Sequence, residues 1–251
     1  MQPLCFVVQN NTKMSFLNAE WRKLAVANYV IDPKILEHYV PPGTELDFWE
    51  GKCYVSLIGF MFMNTKILGI KIPFHINFEE VNLRFYVRRF ENNTWKRAAV
   101  FIKEIVPKPA LSLVANTLYN EHYETLPMRH QWEENSKNRV VTYEWKKKKS
   151  WQSFKVTAAL TATEIAANSE TEFITEHYWG YAKVNGHVTN EYEVTHPRWK
   201  EYKVESAEIK VDFEMVYGAE FEFLNHVSPA SVMLAEGSEI TVEGKKTLKI
   251  K

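Results

Sequence analysis

Apolar and polar residues alternate with a period of two over much of this chain, the pattern of a half-buried β-strand. The clearest case is "FEEVNLRFYVRR", residues 78–89. Val81, Leu83, Phe85 and Val87 fall on one face; Phe78, Glu80, Asn82, Arg84, Tyr86 and Arg88 fall on the other. "ENNT" then turns the chain toward a hairpin partner, "WKRAAVFIKEIV". "CYVSLIGFMFM" reads as a buried strand, and "NAEWRKLAVANYVID" as a short turn or helical start followed by a strand. Further strands are predicted at "NRVVTYEW", "WQSFKVTAAL", "TEFITEHYWGYAKV", "HVTNEYEVTH" and "EYKVESAEIKV". Asn185-Gly186 marks a hairpin, since both residues tolerate positive φ. "SVMLAEGSEITV" reads as strand, turn, strand.

The period changes in only a few places. Asp32 before Pro33 predicts a short capped helix that ends near Pro41, Pro42 and Gly43. In "PALSLVANTLYNEHY", Leu111, Val114, Ala115, Leu118, Tyr119 and His122 recur at helical spacing behind Pro109. "DFEMVYG" predicts a short helix closed by Gly218. Nine or ten strands with two or three helices make a β-rich α+β protein, and residues 1–251 read as a single domain. Long antiparallel strands with so few helices must stack as two sheets or curl into a barrel, whose interior is lined by alternate side chains.

Composition narrows the function. Hydrophobic residues make up 45% of the 251 and aromatic residues 14%, enough for a packed core. The formal net charge is zero, which argues against a nucleic-acid partner. The run Lys146–Lys149 is expected at an exposed turn. Cys5 and Cys53 make neither a disulfide framework nor a zinc quartet. No apolar run reaches the roughly 18 residues of a membrane span. The opening "MQPLCFVVQNNTKM" lacks a basic leader, so a cytoplasmic protein is expected. Without metal-ligand spacing or a phosphate-cradling glycine loop, neither metal nor cofactor is expected. Ser56 and Ser112 lack the setting of a catalytic elbow.

Glu80, Asn82, Arg84 and Tyr86 repeat every second residue, about 6.5–7 Å apart. An arginine fork there suits a carboxylate, and Glu80 suits proton transfer beside it. The other reading is a solvated strand face with an ordinary ion pair. Thr171, Phe173, Thr175, His177 and Trp179 share a face if their segment is a strand, which fits a pocket wall or core packing. His75 is a weaker candidate. Lys103 in "FIKEIVP" is expected in a surface ion pair, with a role as amine nucleophile the minor reading.

Seven blocks together resemble one family: "AEWRKLAVANY", "PPGTELDFWEGKCYVSLIGF", "FEEVNLRFYVRR", "FIKEIVPKPA", "LYNEHYETLPMRH", "FITEHYWGYA" and "LAEGSEI". They resemble the bacterial YqjF-type proteins, a family of unknown function, over residues 14–243. That family is in turn similar in fold to acetoacetate decarboxylase, which implies a curved antiparallel β-barrel with a few short helices and a central cavity. The decarboxylase forms an imine through a lysine activated by a neighbouring cation. In "NEHYETLPMRHQ" the resemblance sets Pro127 on that family's proline, Met128 on the imine lysine and Arg129 on the cation. Methionine carries no amine and arginine stays charged, so the imine route is lost. Glu80, or Glu79 one residue away, matches a glutamate on the preceding strand. The expected activity is binding, or a lyase or proton-transfer reaction, on a small organic acid or carbonyl compound. Arg84 and Arg129 would orient the anion and Glu80 would move the proton. Asn82, Tyr86, Met128, His130 and His177 would complete the site. The alternatives are a non-catalytic small-molecule binder and a protein that interacts through its outer surface.

Overall fold

The computed structural model describes residues 15–250. Cys5 and the opening segment read above for a leader lie outside the described residues. Fourteen strands are present among the described residues: β1 (Leu17–Val30), β2 (Glu45–Leu46), β3 (Tyr54–Ile67), β4 (Phe78–Glu91), β5 (Thr94–Val106), β6 (Tyr123–Thr125), β7 (Met128–Glu134), β8 (Arg139–Lys147), β9 (Ser150–Glu164), β10 (Trp179–Asn185), β11 (Val188–Thr195), β12 (Lys200–Lys210), β13 (Ser231–Val242) and β14 (Lys246–Lys249). Between them lie α1 (Pro33–Leu36), α2 (Pro109–Leu118), α3 (Glu170–Thr175), α4 (Phe213–Tyr217) and a 3-10 helix at Ala219–Asn225.

The strands form one sheet in the order β14-β11-β10-β5-β4-β3-β1-β13-β12-β9-β8-β7, with β2 on β4 and β6 on β5. A further pairing of β11 with β13, Val194 opposite Val242 and Thr195 opposite Thr241, brings the path back on itself. Local chemistry sets the turns. Asn92 and Asn93 take φ of 52° and 59°, so the two-residue connection has the twist of a hairpin turn. Asp32 accepts from the Lys34 amide at 3.0 Å and caps α1. The lysine run lies at the β8–β9 turn, with Lys148 at φ 52°.

The two faces of β4 belong to different layers. Val81, Leu83, Phe85 and Val87 are buried in one core with Trp145, Phe154, Phe213 and Phe221. Phe78 and Tyr86 join a second core with Phe60, Phe62, Phe173 and Trp199. Each such fully buried side chain contributes about 1.5–3 kcal/mol. The polar residues of β4 face this second layer.

Three expectations need correction. β1 is extended from Leu17 onward, with no helical start. "TEFIT" is helical: the Ser169 hydroxyl accepts from the Glu172 amide at 3.1 Å, and the Glu172 carboxylate accepts from the Asn168 amide at 2.6 Å. These reciprocal bonds resemble a capping box and start α3 where alternation alone reads a strand. Finally, β13 runs unbroken through Gly237, where a turn was expected. Gly237 has φ 80°, and a Cβ there would lie 1.9 Å from the Trp21 carbonyl oxygen, so only glycine lets β13 pass β1 at this point.

Candidate functional site

A pocket of about 210 Å³ lies against the polar face of β4. Glu80, Asn82 and Arg84 line it from β4, Phe101 and Glu104 from β5, and Trp179 and Gly180 from β10. Leu111, Val114 and Ala115 of α2 border it, as do Glu121, Tyr123, Tyr192, His177 and the aromatic rings of Trp21, Phe60 and Trp199. Largely apolar walls with a few convergent polar groups are the usual composition of a small-ligand site.

The hairpin register assembles the polar part. Near the turn Glu91 faces Thr94 and Arg84 faces Phe101, but beyond a bulge at Ile102 the pairs become Leu83–Lys103 and Asn82–Glu104. Directly opposed residues share a face, so Glu104 joins Asn82 on the pocket side. The parallel pair β5–β6 sets Tyr123 beside Glu104. Glu121 enters just ahead of β6 and accepts from the Tyr192 hydroxyl at 2.8 Å. Gly180 makes room for Tyr192, since a Cβ there would lie 2.2 Å from its Cζ.

Three carboxyls are therefore buried together: Glu80, Glu104 and Glu121 are 2%, 3% and 7% exposed. Burial raises the Glu80 pKa to about 7, although Asn82 Nδ2 donates to it at 2.9 Å, Tyr123 donates at 3.3 Å and Arg84 lies nearby. Burial likewise lifts Glu121 to about 7, against the Tyr192 bond and with help from the Glu80 charge. Glu104 is held well above the carboxylate range by burial and then by its two acidic neighbours. Like charges this close cannot all ionise in a dry site, so the cluster keeps protons near neutrality. Burial also keeps the Tyr123 and Tyr192 phenols protonated, as donors.

Arg84 is half-buried; its guanidinium donates to the Ile174 carbonyl at 3.3 Å and lies 5.4 Å from the Tyr86 ring centre. Tyr86 itself turns away from the pocket walls. Its hydroxyl donates to Ser56 at 2.8 Å, Ser56 donates to Asn28 at 2.6 Å, and Asn28 donates to Ser231 at 2.9 Å. Ser231 donates to Glu170, so this polar chain ties β4 to the start of α3. His177 follows α3 and packs on Tyr86, with the ring centres 4.4 Å apart and the planes tilted by 30°. Its Nε2 lies 3.5 Å from Asp47 Oδ2, which also accepts from Arg97 Nε at 2.7 Å. Burial lowers the His177 pKa to about 4, with the Asp47 bond opposing and the Arg97 charge assisting, so the ring is neutral near pH 7.

Glu80, Asn82, Arg84 and His177 thus come together, with Tyr86 packed behind them. Glu79 points elsewhere and pairs with His130 Nδ1 at 2.6 Å. Met128, Arg129 and His130 do not reach the pocket. They lie on β7, at the far end of the sheet order, because "PMRHQWEE" continues as an edge strand paired with β8. Lys146 N–H donates to the Pro127 carbonyl at 2.9 Å and starts that pairing. Arg129 is exposed and donates to both carboxylate oxygens of Glu144, at 2.6 and 2.9 Å. Lys103 donates to the Val216 carbonyl and pairs with Glu124 at 3.3 Å, off the pocket. Glu104, Glu121, Tyr123 and Tyr192 were not foreseen as site residues. Among the described residues no three metal-ligating side chains are grouped to hold an ion, and no helix is long and apolar enough to cross a membrane.

The β-rich fold is similar to that of acetoacetate decarboxylase-like proteins of known structure. It is similar to an acetoacetate decarboxylase-like enzyme from Sphingomonas wittichii RW1, with a TM-score of 0.64 and 10% identity over 100% of both chains. It is also similar to the acetoacetate decarboxylase of Legionella pneumophila, with a TM-score of 0.62 and 11% identity over 99% of this chain and 97% of that one. The enduracididine biosynthesis enzyme MppR, complexed with pyruvate, gives a TM-score of 0.66 and 10% identity over 99% of each chain. At such identities the likeness is one of fold. The chain belongs to the DUF2071 family, described as an uncharacterized conserved protein, whose model matches residues 18–239. The uncharacterized protein YqjF of Bacillus subtilis (strain 168) is 35% identical over 68 residues, 27% of this chain and only 28% of that relative's length.

Proposed function

We propose that the sheet acts as a barrel whose interior pocket receives a small organic acid or carbonyl compound. Arg84 takes the ligand's anionic end, Asn82 and His177 orient it, and Glu80 exchanges a proton with it. The observation that carries this reading is the presence of Glu80 and Arg84 on one strand face, at the wall of the same pocket. A guanidinium offers paired donors to a carboxylate. A carboxyl whose pKa is lifted to about 7 is matched to acid–base work near neutrality. Among the described residues that line the pocket none is a lysine, so the chemistry is a proton transfer or a lyase step that forms no imine. MppR bound to pyruvate supports the choice of ligand class by analogy of fold.

A binder without turnover would use the same groups, and Glu80→Gln separates the two. The experiment is a thermal-shift screen of small carboxylates and ketones, followed by turnover assays on the hits. An enzyme loses turnover in Glu80→Gln while affinity holds within a few-fold. A screen in which no such compound stabilises the fold would refute the proposal.

A further inference from the structure

The proposed function uses Arg84 and Glu80 and leaves two buried acceptors without work. Asn82 is 1% exposed, and with its Nδ2 committed to Glu80 its Oδ1 has no hydrogen-bond partner among the described residues. Glu104 Oε2, on the residue directly opposite across the β4–β5 pair, is also buried and unpartnered. Both residues line the pocket. A buried acceptor left unpaired is costly, and two of them at one cross-strand position, beside Glu80 and Glu121, call for a donor. Among the described residues that line the pocket the balance of ionisable groups points the same way, with three carboxyls against one arginine, Arg84. Trp21, Tyr119, Tyr192 and Trp199 also line the pocket, and the face of an aromatic ring attracts an organic cation.

We propose that the Asn82–Glu104 corner of the pocket is a subsite for a protonated primary amine, held by Asn82 Oδ1 and Glu104 Oε2, so that the ligand carries an amine besides the anion received at Arg84. The anion half of this ligand rests on the function proposed above; the amine half rests on the two unpartnered acceptors. The proton balance follows from the carboxyl cluster. With Glu104 holding its proton in the free protein through burial and its acidic neighbours, an entering ammonium supplies the positive charge that lets it ionise. Ammonium plus carboxylic acid becomes an ammonium–carboxylate pair, and one proton leaves to buffer. The buried phenols of Tyr123 and Tyr192 keep their protons.

The test is calorimetric titration of the whole chain at pH 7.5 with three probes of one shape: 2-phenylethylamine, 3-phenylpropionate and phenylalanine. Each is measured in PIPES and in triethanolamine, which are neither primary amines nor small carboxylates and whose ionisation heats differ, so that released protons are counted without any variant. The inference expects 2-phenylethylamine to bind with net proton release and to bind Glu104→Gln at least tenfold more weakly. It expects 3-phenylpropionate to bind the parent and Glu104→Gln within about twofold of each other. Binding of 3-phenylpropionate without binding of 2-phenylethylamine overturns the amine subsite and leaves the proposed function standing. Binding of the amine alone supports the subsite and overturns the anion site at Arg84. Amine binding with no proton release, or equal in parent and Glu104→Gln, overturns the subsite. Binding of no probe overturns both.

Discussion

Asn82 stands directly opposite Glu104 because Ile102 bulges out of the β4–β5 ladder. Carried inward from the turn without that extra residue, the pairing would set Asn82 opposite Lys103. One bulged residue therefore decides whether an amine or a carboxyl faces the pocket. Bulges of this kind re-aim side chains at functional sites.

The first prediction concerns that lysine. Lys103 is committed to Glu124 and the Val216 carbonyl on the other side of β5. Borohydride reduction in the presence of pyruvate or acetoacetate leaves every lysine unmodified by mass spectrometry. A peptide carrying a reduced adduct at Lys103 would contradict the register.

pH gives a second prediction. Glu80 and Glu121 have folded pKa values of about 7, above the ordinary 4.5 of the unfolded chain. The folded state therefore holds more protons between those limits, and stability falls as pH rises from about 4.5 toward 7. The slope is at most about 1.4 kcal/mol per pH unit for each group. His177 acts in the opposite sense: its folded pKa of about 4 lies below the ordinary 6.5, so its share is lost as pH falls from 6.5 toward 4. Urea melts of Glu80→Gln and parent should therefore diverge, the variant gaining on the order of 2 kcal/mol relative to parent between pH 5 and pH 8. Parallel curves would show that Glu80 ionises as an exposed carboxylate does.

Gly180 offers a packing test. A methyl group at this position meets the Tyr192 ring, and Tyr192 holds Glu121. Gly180→Ala should lower stability by about 1–3 kcal/mol, read as a fall of several degrees in the melting temperature. An unchanged melting temperature would mean that the ring can move aside and that its hold on Glu121 is dispensable.

Asp47 joins two elements around His177. It is 5% exposed and accepts from Arg97, whose side chain is about a third exposed. Asp47→Asn leaves that guanidinium without its counter-charge at a cost of about 1–3 kcal/mol, below the full buried-pair figure because solvent screens part of it. Denaturant melts supply the number, and imidazole nitrogen shifts should still report a neutral His177 at pH 6. A variant as stable as the parent would leave Asp47 with no structural role.

The sequence pattern carries the strand-rich fold, the long helix α2 and the face of β4 that meets the pocket, because alternation and helical spacing are local signals. Glu104 and Glu121 were illegible for a definite reason. A bulge leaves no mark in alternation, and "FIKEIVP" offers Lys103 and Glu104 to opposite faces in either register. Glu121 lies in the short stretch between α2 and β6, where no period applies. α3 did leave a signal, the Ser169-x-x-Glu172 spacing of a capping box, which the alternation of the following residues masks. Met128, Arg129 and His130 were drawn toward the site by a family's lysine position, while the pairing of β7 with β8 takes them to the sheet's edge.

Arg84 carries the central claim, and Arg129 is its natural control. Calorimetric titration of 3-phenylpropionate into parent, Arg84→Met and Arg129→Met tests both at once. The expected result is binding to the parent, a loss of tenfold or more in Arg84→Met, equivalent to about 1.4 kcal/mol, and no change in Arg129→Met. Equal affinity for the parent and Arg84→Met, or a loss confined to Arg129→Met, would contradict a ligand site on the β4 face.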